Sequence, residues 1–341
     1  MRSYLRPLRY AIQWGVFVLV VYAGWRLHLF MEHFSTGRTP LVERPPLVDG
    51  FLPIGGLMGL KLWTTEGIFD PVHPAAIVIF LSALSVSALF KKGFCGWLCP
   101  VGTLSEAVFK TGRRLLGKNY KLPSYVDYPL RSLKYLLLGF FFHVVGKMPA
   151  EGITDFLYTS YWKVADLKML EFFTRMSVFT GAVLIVLFIL SLPVKNFWCR
   201  YLCPYGALLG LLSLLSPFKI TRDEGACTHC GRCAKDCPSS IPVEQKQRVG
   251  SPECTGCLTC VSVCPSRGAL DMGLRAPAIL GVARPLRKGL QPVNPLLYIS
   301  LLTAFFFGVI AVAKLTGHWH SSVTYEEYKA VIPMLSGLAH P

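Results

Sequence analysis

The sequence predicts an α-helical membrane protein that carries a small α+β ferredoxin module. Three observations lead there. Of 341 residues, 52% are hydrophobic and only 16% charged, against about 25% charged in soluble domains. The apolar residues fall in long runs, which is what spanning a bilayer requires. One polar segment, 220–275, holds eight of the 12 cysteines at regular spacing. The mean hydropathy of +0.46 excludes an intrinsically disordered chain.

A span needs about 20 residues at 1.5 Å rise each. Five runs approach or exceed that: Tyr10–Phe30, Pro74–Phe90, Leu133–Val145 extendable to 130–148, Met176–Val194 and Pro295–Leu315. The second is short and is closed by Lys91 and Lys92. Arg2, Arg6 and Arg9 precede the first run, as they would in a secretory signal. That run is longer than a typical signal core and no clear small-x-small site follows, so it is expected to remain as a helix. The expected organisation is a four-helix membrane region over 1–219, a ferredoxin module over 220–275, and a basic linker, fifth helix and short tail over 276–341.

Orientation follows from charge. With the N-terminus in the cytoplasm, segments 1–9, 91–134 and 195–292 face inward. They hold 25 of the 35 Lys and Arg but 8 of the 19 Asp and Glu. The formal net charge of +16 therefore reads as the positive-inside rule, and a nucleic-acid partner is unnecessary. The expected location is a bacterial inner membrane, multi-pass, with the module cytoplasmic and the C-terminus periplasmic. Residues 51–63, rich in Gly and Leu, fall on the outer side. Two readings fit them equally, an interfacial or re-entrant helix and a packed loop.

The chain repeats itself. FCGWLCPVGTL from Phe94 and WCRYLCPYGAL from Trp198 are identical at six of eleven positions, and two more exchange aromatic for aromatic. Each copy follows a span running outside to inside. The first four spans are thus expected to be two related hairpins, each ending in a CxxxCP motif.

The polar segment reads Cys227-x2-Cys230-x2-Cys233-x3-Cys237-Pro238, then Cys254-x2-Cys257-x2-Cys260-x3-Cys264-Pro265. This is the two-cluster ferredoxin spacing, in which the fourth Cys of each run ligates the other cluster. Cys227, Cys230, Cys233 and Cys264 are expected to hold one 4Fe–4S cluster. Cys254, Cys257, Cys260 and Cys237 are expected to hold the second. Zinc prefers two CxxC pairs with a longer spacer. Covalent haem needs C-x-x-C-H, and no such run occurs here. Two clusters this close make an electron relay.

Cys95, Cys99, Cys199 and Cys203 leave three readings open. If helical, each i, i+4 pair lies on one face, and the two pairs meet across the pseudo-twofold. They then form a third cluster or metal site, act as redox-active thiols, or serve as small buried residues. A stable disulfide is disfavoured in the cytoplasm.

The two CxxxCP motifs with the double Cys-rich run resemble the membrane-bound polyferredoxins. That family includes the NapH-type quinol dehydrogenase subunit, the C-terminal half of the NosR-type regulator and the CcoG/RdxA type. The resemblance covers roughly residues 1–315. It implies quinol oxidation during anaerobic respiration and electrons passed to a periplasmic or membrane-bound cytochrome c or ferredoxin subunit. Two departures are a missing flavin-binding domain before the first span and a missing immunoglobulin-like extension after the last.

Quinol oxidation needs an apolar slot with proton acceptors at its mouth. Polar groups at membrane depth are the first candidates, here His28, Asp70, His73 and His143, with Glu32 beside them. Asp70 and His73 also fit as helix-start residues, and Arg26 and His28 as snorkelling side chains. His28 and His143 fit as axial ligands of a b-type haem. Against the reading as a quinol-oxidising relay stands an accessory role, in which the four CxxxCP thiols reduce a metal or a thiol while a respiratory metalloenzyme is assembled.

Overall fold

The computed structural model describes residues 4–275 and 290–338. The chain divides into two compact units. One comprises Met1–Phe17, Ala83–Leu138 and Ile185–Phe306; the other comprises Val18–Ser82, Gly139–Leu184 and Phe307–Pro341. Most of the basic linker expected after the module lies outside the described residues.

Among the described residues two helices are long and apolar enough to cross a membrane, α1 (Leu5–Thr36) and the helix Pro295–Leu315. Two bent pairs pass the same test together. In the first, α6 (Ser124–Lys147) meets α7 (Ala150–Leu157) at 98°. Pro149 stands at that break, and a proline bars the residue before it from helical conformation. In the second, α9 (Ala165–Thr174) meets α10 (Val178–Ser191) at 77°. The helix α3 (Pro74–Leu89) is apolar but shorter. Among the described residues the count by length and composition is thus two spans, or four if each bent pair is one, with α3 as a fifth, shorter apolar helix.

Local sequence explains the helix ends. α1 stops at Gly37, whose φ of 65° closes the last turn as a left-handed glycine does. Residues 53–66 settle the earlier alternative in favour of a helix, α2 (Pro53–Glu66). It opens on a proline and closes on left-handed Gly67, the usual asymmetry of helix ends.

The unit containing α2 has an apolar core. Met58 and Leu62 of α2 meet Ile153 and Leu157 of α7, with Val72 and Trp162 filling the cluster. Within the same unit lies a buried ionic network. Arg44 Nε donates to Asp166 Oδ2 at 2.8 Å, and its Nη2 bonds Asp49 Oδ1. His73 Nδ1 lies 3.0 Å from Asp49 Oδ1, and His73 Nε2 donates to the Trp162 carbonyl at 2.7 Å. Asp70 accepts from the backbone N–H groups of Val72 and His73 and from the Trp162 indole. Burial works against charge on the His73 imidazole, but the Asp49 carboxylate beside it lifts its pKa above the ordinary histidine value.

In the other unit an antiparallel sheet follows the order β2-β1-β3-β4, with β1 Phe218–Arg222, β2 Arg248–Val249, β3 Leu270–Arg275 and β4 Leu290–Val293. The first three strands flank the Cys-rich loops, as an α+β module requires. The fourth extends the sheet beyond residue 275. Phe218 stacks on Phe90 with ring centroids 5.4 Å apart, and Tyr298 donates to the Phe90 carbonyl at 2.6 Å.

Replacing Arg44 with Met strands two buried carboxylates. Breaking such a group costs about 3–5 kcal/mol, so a clear fall in the thermal midpoint of the detergent-solubilised protein is expected. His73 supplies a pH dependence. A histidine whose folded pKa is raised stabilises the fold below the ordinary value, and that contribution is lost as pH rises through the folded pKa. Stability is therefore expected to decline above about pH 6.5, and the decline should flatten in His73→Asn, as urea unfolding across pH 6–9 will show.

Candidate electron-transfer site

Three groups of cysteines come together, and all three lie in one unit. Cys227, Cys230, Cys233 and Cys264 line one small cavity together with Arg222 and Glu244. Cys237, Cys254, Cys257 and Cys260 line another with Ile220 and Val249. In both cavities the fourth thiol comes from the opposite run, as the ferredoxin spacing expects. Among the described residues no three His, Cys, Asp or Glu side chains converge closely enough to hold a single metal ion.

The two quartets differ in environment. Cys230 is exposed, whereas Cys237, Cys254 and Cys260 are buried. The Arg232 backbone N–H holds the Cys230 thiol below its ordinary pKa. Burial, joined by Cys257, pushes Cys237 up to about 12. The loop that carries Cys254 and Cys257 is clamped by the first CxxxCP copy. The Trp97 indole donates to the Gly256 carbonyl at 3.1 Å. Gly96 lies so close that a β-carbon there would stand 2.6 Å from the Thr255 carbonyl oxygen. The second copy holds the other side, where Arg200 Nη1 donates to the Ser239 carbonyl at 2.7 Å.

The CxxxCP cysteines do not lie on continuous helices. Cys95 belongs to α4 (Gly93–Trp97), and Cys99 is extended and caps α5 (Pro100–Leu116). Cys199 belongs to a π-turn over Trp198–Leu202, and Cys203 caps α11 (Pro204–Leu212). Pro100 and Pro204 cause both breaks, because the residue before a proline is driven out of the helical region. The Cys203 sulfur consequently accepts from the Gly206 N–H at 3.2 Å.

The four half-buried cysteines nevertheless lie near one another, since Cys99 and Cys199 each feel the charge of Cys203. Lys92 is buried among Cys95, Cys199 and Cys203. Lys134, wholly buried, reaches Glu253 Oε1 at 2.5 Å nearby. Burial raises the Cys95 thiol despite Lys92 and pushes Cys99 up to about 11 against the N–H groups of α5. A raised pKa lowers the thiolate fraction, which is the nucleophilic form. Sequence reasoning missed Lys92, Lys134 and Glu253. The signal was there: two lysines at the end of an apolar run and one at the start of another.

The proposed quinol residues divide. Asp70 and His73 are wholly buried in the ionic network, so their polar atoms face protein. His28 on α1 and His143 on α6 are exposed.

A family model described as a 4Fe-4S binding domain matches residues 72–119 and again 174–223. The internal repeat is therefore seen twice by one model. A second model, a 4Fe-4S dicluster domain, matches residues 219–265. The putative electron transport protein YccM of Escherichia coli is 42% identical over 333 residues, covering 97% of this chain and 91% of that protein. The chain belongs to the membrane-bound polyferredoxin family. The ferredoxin-type protein NapH of E. coli is 26% identical to this polyferredoxin, over 72% of this chain and 82% of its own. The regulatory protein NosR of Stutzerimonas stutzeri is 29% identical over 48% of this chain and 22% of its own. No solved structure matches the polyferredoxin. The protein is an iron–sulfur electron transport protein, and its apolar helices mark it as a membrane protein.

Gly96→Ala tests the clamp. The new β-carbon meets backbone rather than a flexible side chain, and overpacking of this kind costs about 1–3 kcal/mol. A lowered thermal midpoint is expected, together with faster hydrogen exchange in residues 251–258.

Proposed function

We propose that this polyferredoxin is the quinol-oxidising electron-transfer subunit of a larger respiratory complex in the bacterial inner membrane. The observation that carries the relay is the pair of cysteine quartets in one module, the second braced by both CxxxCP motifs. Cys227, Cys230, Cys233 and Cys264 hold one 4Fe–4S cluster, and Cys254, Cys257, Cys260 and Cys237 hold the second. When bound, each cluster takes up or releases one electron. The chain supplies the thiolates, fixes their positions through Trp97, Gly96 and Arg200, and excludes water from the second quartet. The module faces the cytoplasm, and the tail after residue 317 faces the periplasm.

Quinol oxidation releases two electrons and two protons, so a proton acceptor open to lipid is required. His28 and His143 meet that need, being exposed on apolar helices. Asp70 and His73 hold the fold around Arg44 instead. The electrons leave to a periplasmic or membrane-bound cytochrome c or ferredoxin subunit. A second reading rests on the four CxxxCP thiols, in which Cys95, Cys99, Cys199 and Cys203 would reduce a metal or a thiol during enzyme assembly. The raised pKa of Cys95 and Cys99 weighs against it.

Anaerobically purified protein mixed with menaquinol or ubiquinol should show rapid cluster reduction. Failure of quinol to reduce it, with metal-ion reduction in its place, would favour assembly. The iron content should be about eight per chain, two cubanes' worth. It should be unchanged in the Cys99→Ser, Cys203→Ser double variant. A loss of about four iron there would place a third cluster at these thiols. An absorption band of b-type haem would reassign His28 and His143 as its ligands.

A further inference from the structure

The internal repeat extends upstream of its cysteines in an unexpected way. In the register that pairs Phe94 with Trp198, Lys91 pairs with Lys195. Both side chains run to the second quartet. Lys91 Nζ donates to the Ser251 carbonyl at 3.3 Å, three residues before Cys254. Lys195 Nζ donates to the carbonyl of Cys237 itself at 3.2 Å. Lys91 also holds a φ of 60°, a left-handed conformation uncommon for any side chain but Gly, Asn or Asp. Such strain persists only where the surroundings demand it. A third cation arrives through a hydroxyl. Arg9 Nη1 donates to Thr259 Oγ1 at 3.1 Å, and that oxygen lies 3.3 Å from the Cys257 sulfur.

Anionic partners do not cancel this group. Glu106 binds Arg9 at 2.5 Å, but Lys110 shares the same carboxylate. Asp236, near Lys195, is shared with Arg6 and Arg113. The first quartet has a different neighbourhood. Glu244 Oε2 stands 4.0 Å from the Cys233 sulfur, and Asp271 lies near Cys264. Its cations are Arg222, whose guanidinium is buried near Cys227, and Arg232 near the exposed Cys230.

We propose that the repeat-related Lys91 and Lys195, with Arg9, set the second quartet at the higher reduction potential, so that an electron shared between the two sites resides on the second. The inference rests on the two-cluster reading and adds an order to it. Adding an electron adds negative charge, and cations in a buried site stabilise it more than cations screened by water do. Solvent exposure favours reduction of the first site. Lys91 and Arg9 are buried and Lys195 is half-buried, and with Glu244 and Asp271 beside the first site they outweigh that exposure. The step itself moves one electron between the sites. No bond forms or breaks, and no proton is transferred.

The test is an EPR-monitored redox titration of the anaerobically purified full chain in detergent. A water-soluble paramagnetic relaxing agent assigns the signals, since it broadens the exposed first site more. The less-broadened signal should have the higher midpoint. Lys91→Met and Lys195→Met should lower that midpoint and leave the other in place. Together they should shift the electron distribution at least tenfold, about 59 mV for a one-electron couple. Glu244→Gln should raise only the broadened signal. If Lys91→Met fails to fold, Lys195→Met and Glu244→Gln carry the test. A higher midpoint on the broadened signal, or lysine variants that leave both midpoints in place, would overturn the ordering. A preparation without two cluster signals would instead overturn the cluster reading.

Discussion

Charge placed inside an apolar chain has to be paired, and that constraint organises this protein. A buried ion without a partner costs several kcal/mol. Each buried cation described above accordingly meets an anion, a carbonyl or a thiol. Arg44 sits between Asp49 and Asp166, and Arg9 meets Glu106. Arg200 grips Asp127 through Nε and Nη2, both at 3.0 Å. Apart from Arg44–Asp49, these pairs connect segments far apart in sequence, so they fix which loop meets which helix end.

The same constraint explains how the iron–sulfur module is held. Arg200 and Lys195 reach its carbonyl oxygens from the second repeat. Trp97 and Lys91 do so from the first. The two repeats are not equal in their grip. Where the first has Gly96, the second has Arg200. One side therefore makes bare backbone contact and the other a guanidinium bridge. A duplicated hairpin has been fitted to two different faces of one module.

Much of this was legible in the sequence because metal ligation demands fixed spacing. The eight-cysteine pattern anticipated which side chains would line the same cavity, Cys237 and Cys264 each grouped with the opposite run. The six identities between copies named the repeat. Helix geometry around the CxxxCP motifs was less legible. The i, i+4 expectation ignored what Pro100 and Pro204 do to the residue before them. Each of the five apolar runs contains a helix, and the sharp bends near Pro149 and Arg175 fall at the ends of two of them rather than inside. The lysines were hidden for another reason. Lys91, Lys92 and Lys195 were read only as topology markers at helix ends. Their contacts depend on how the chain returns, which no local pattern records.

The burial of Cys254 and Cys260 beneath the clamped loop has a consequence for solvent chemistry. Trp97 and Gly96 cover residues 255 and 256 with protein, whereas Cys230 of the other quartet stands exposed. A dissolved chelator or oxidant therefore meets the Cys230 quartet first.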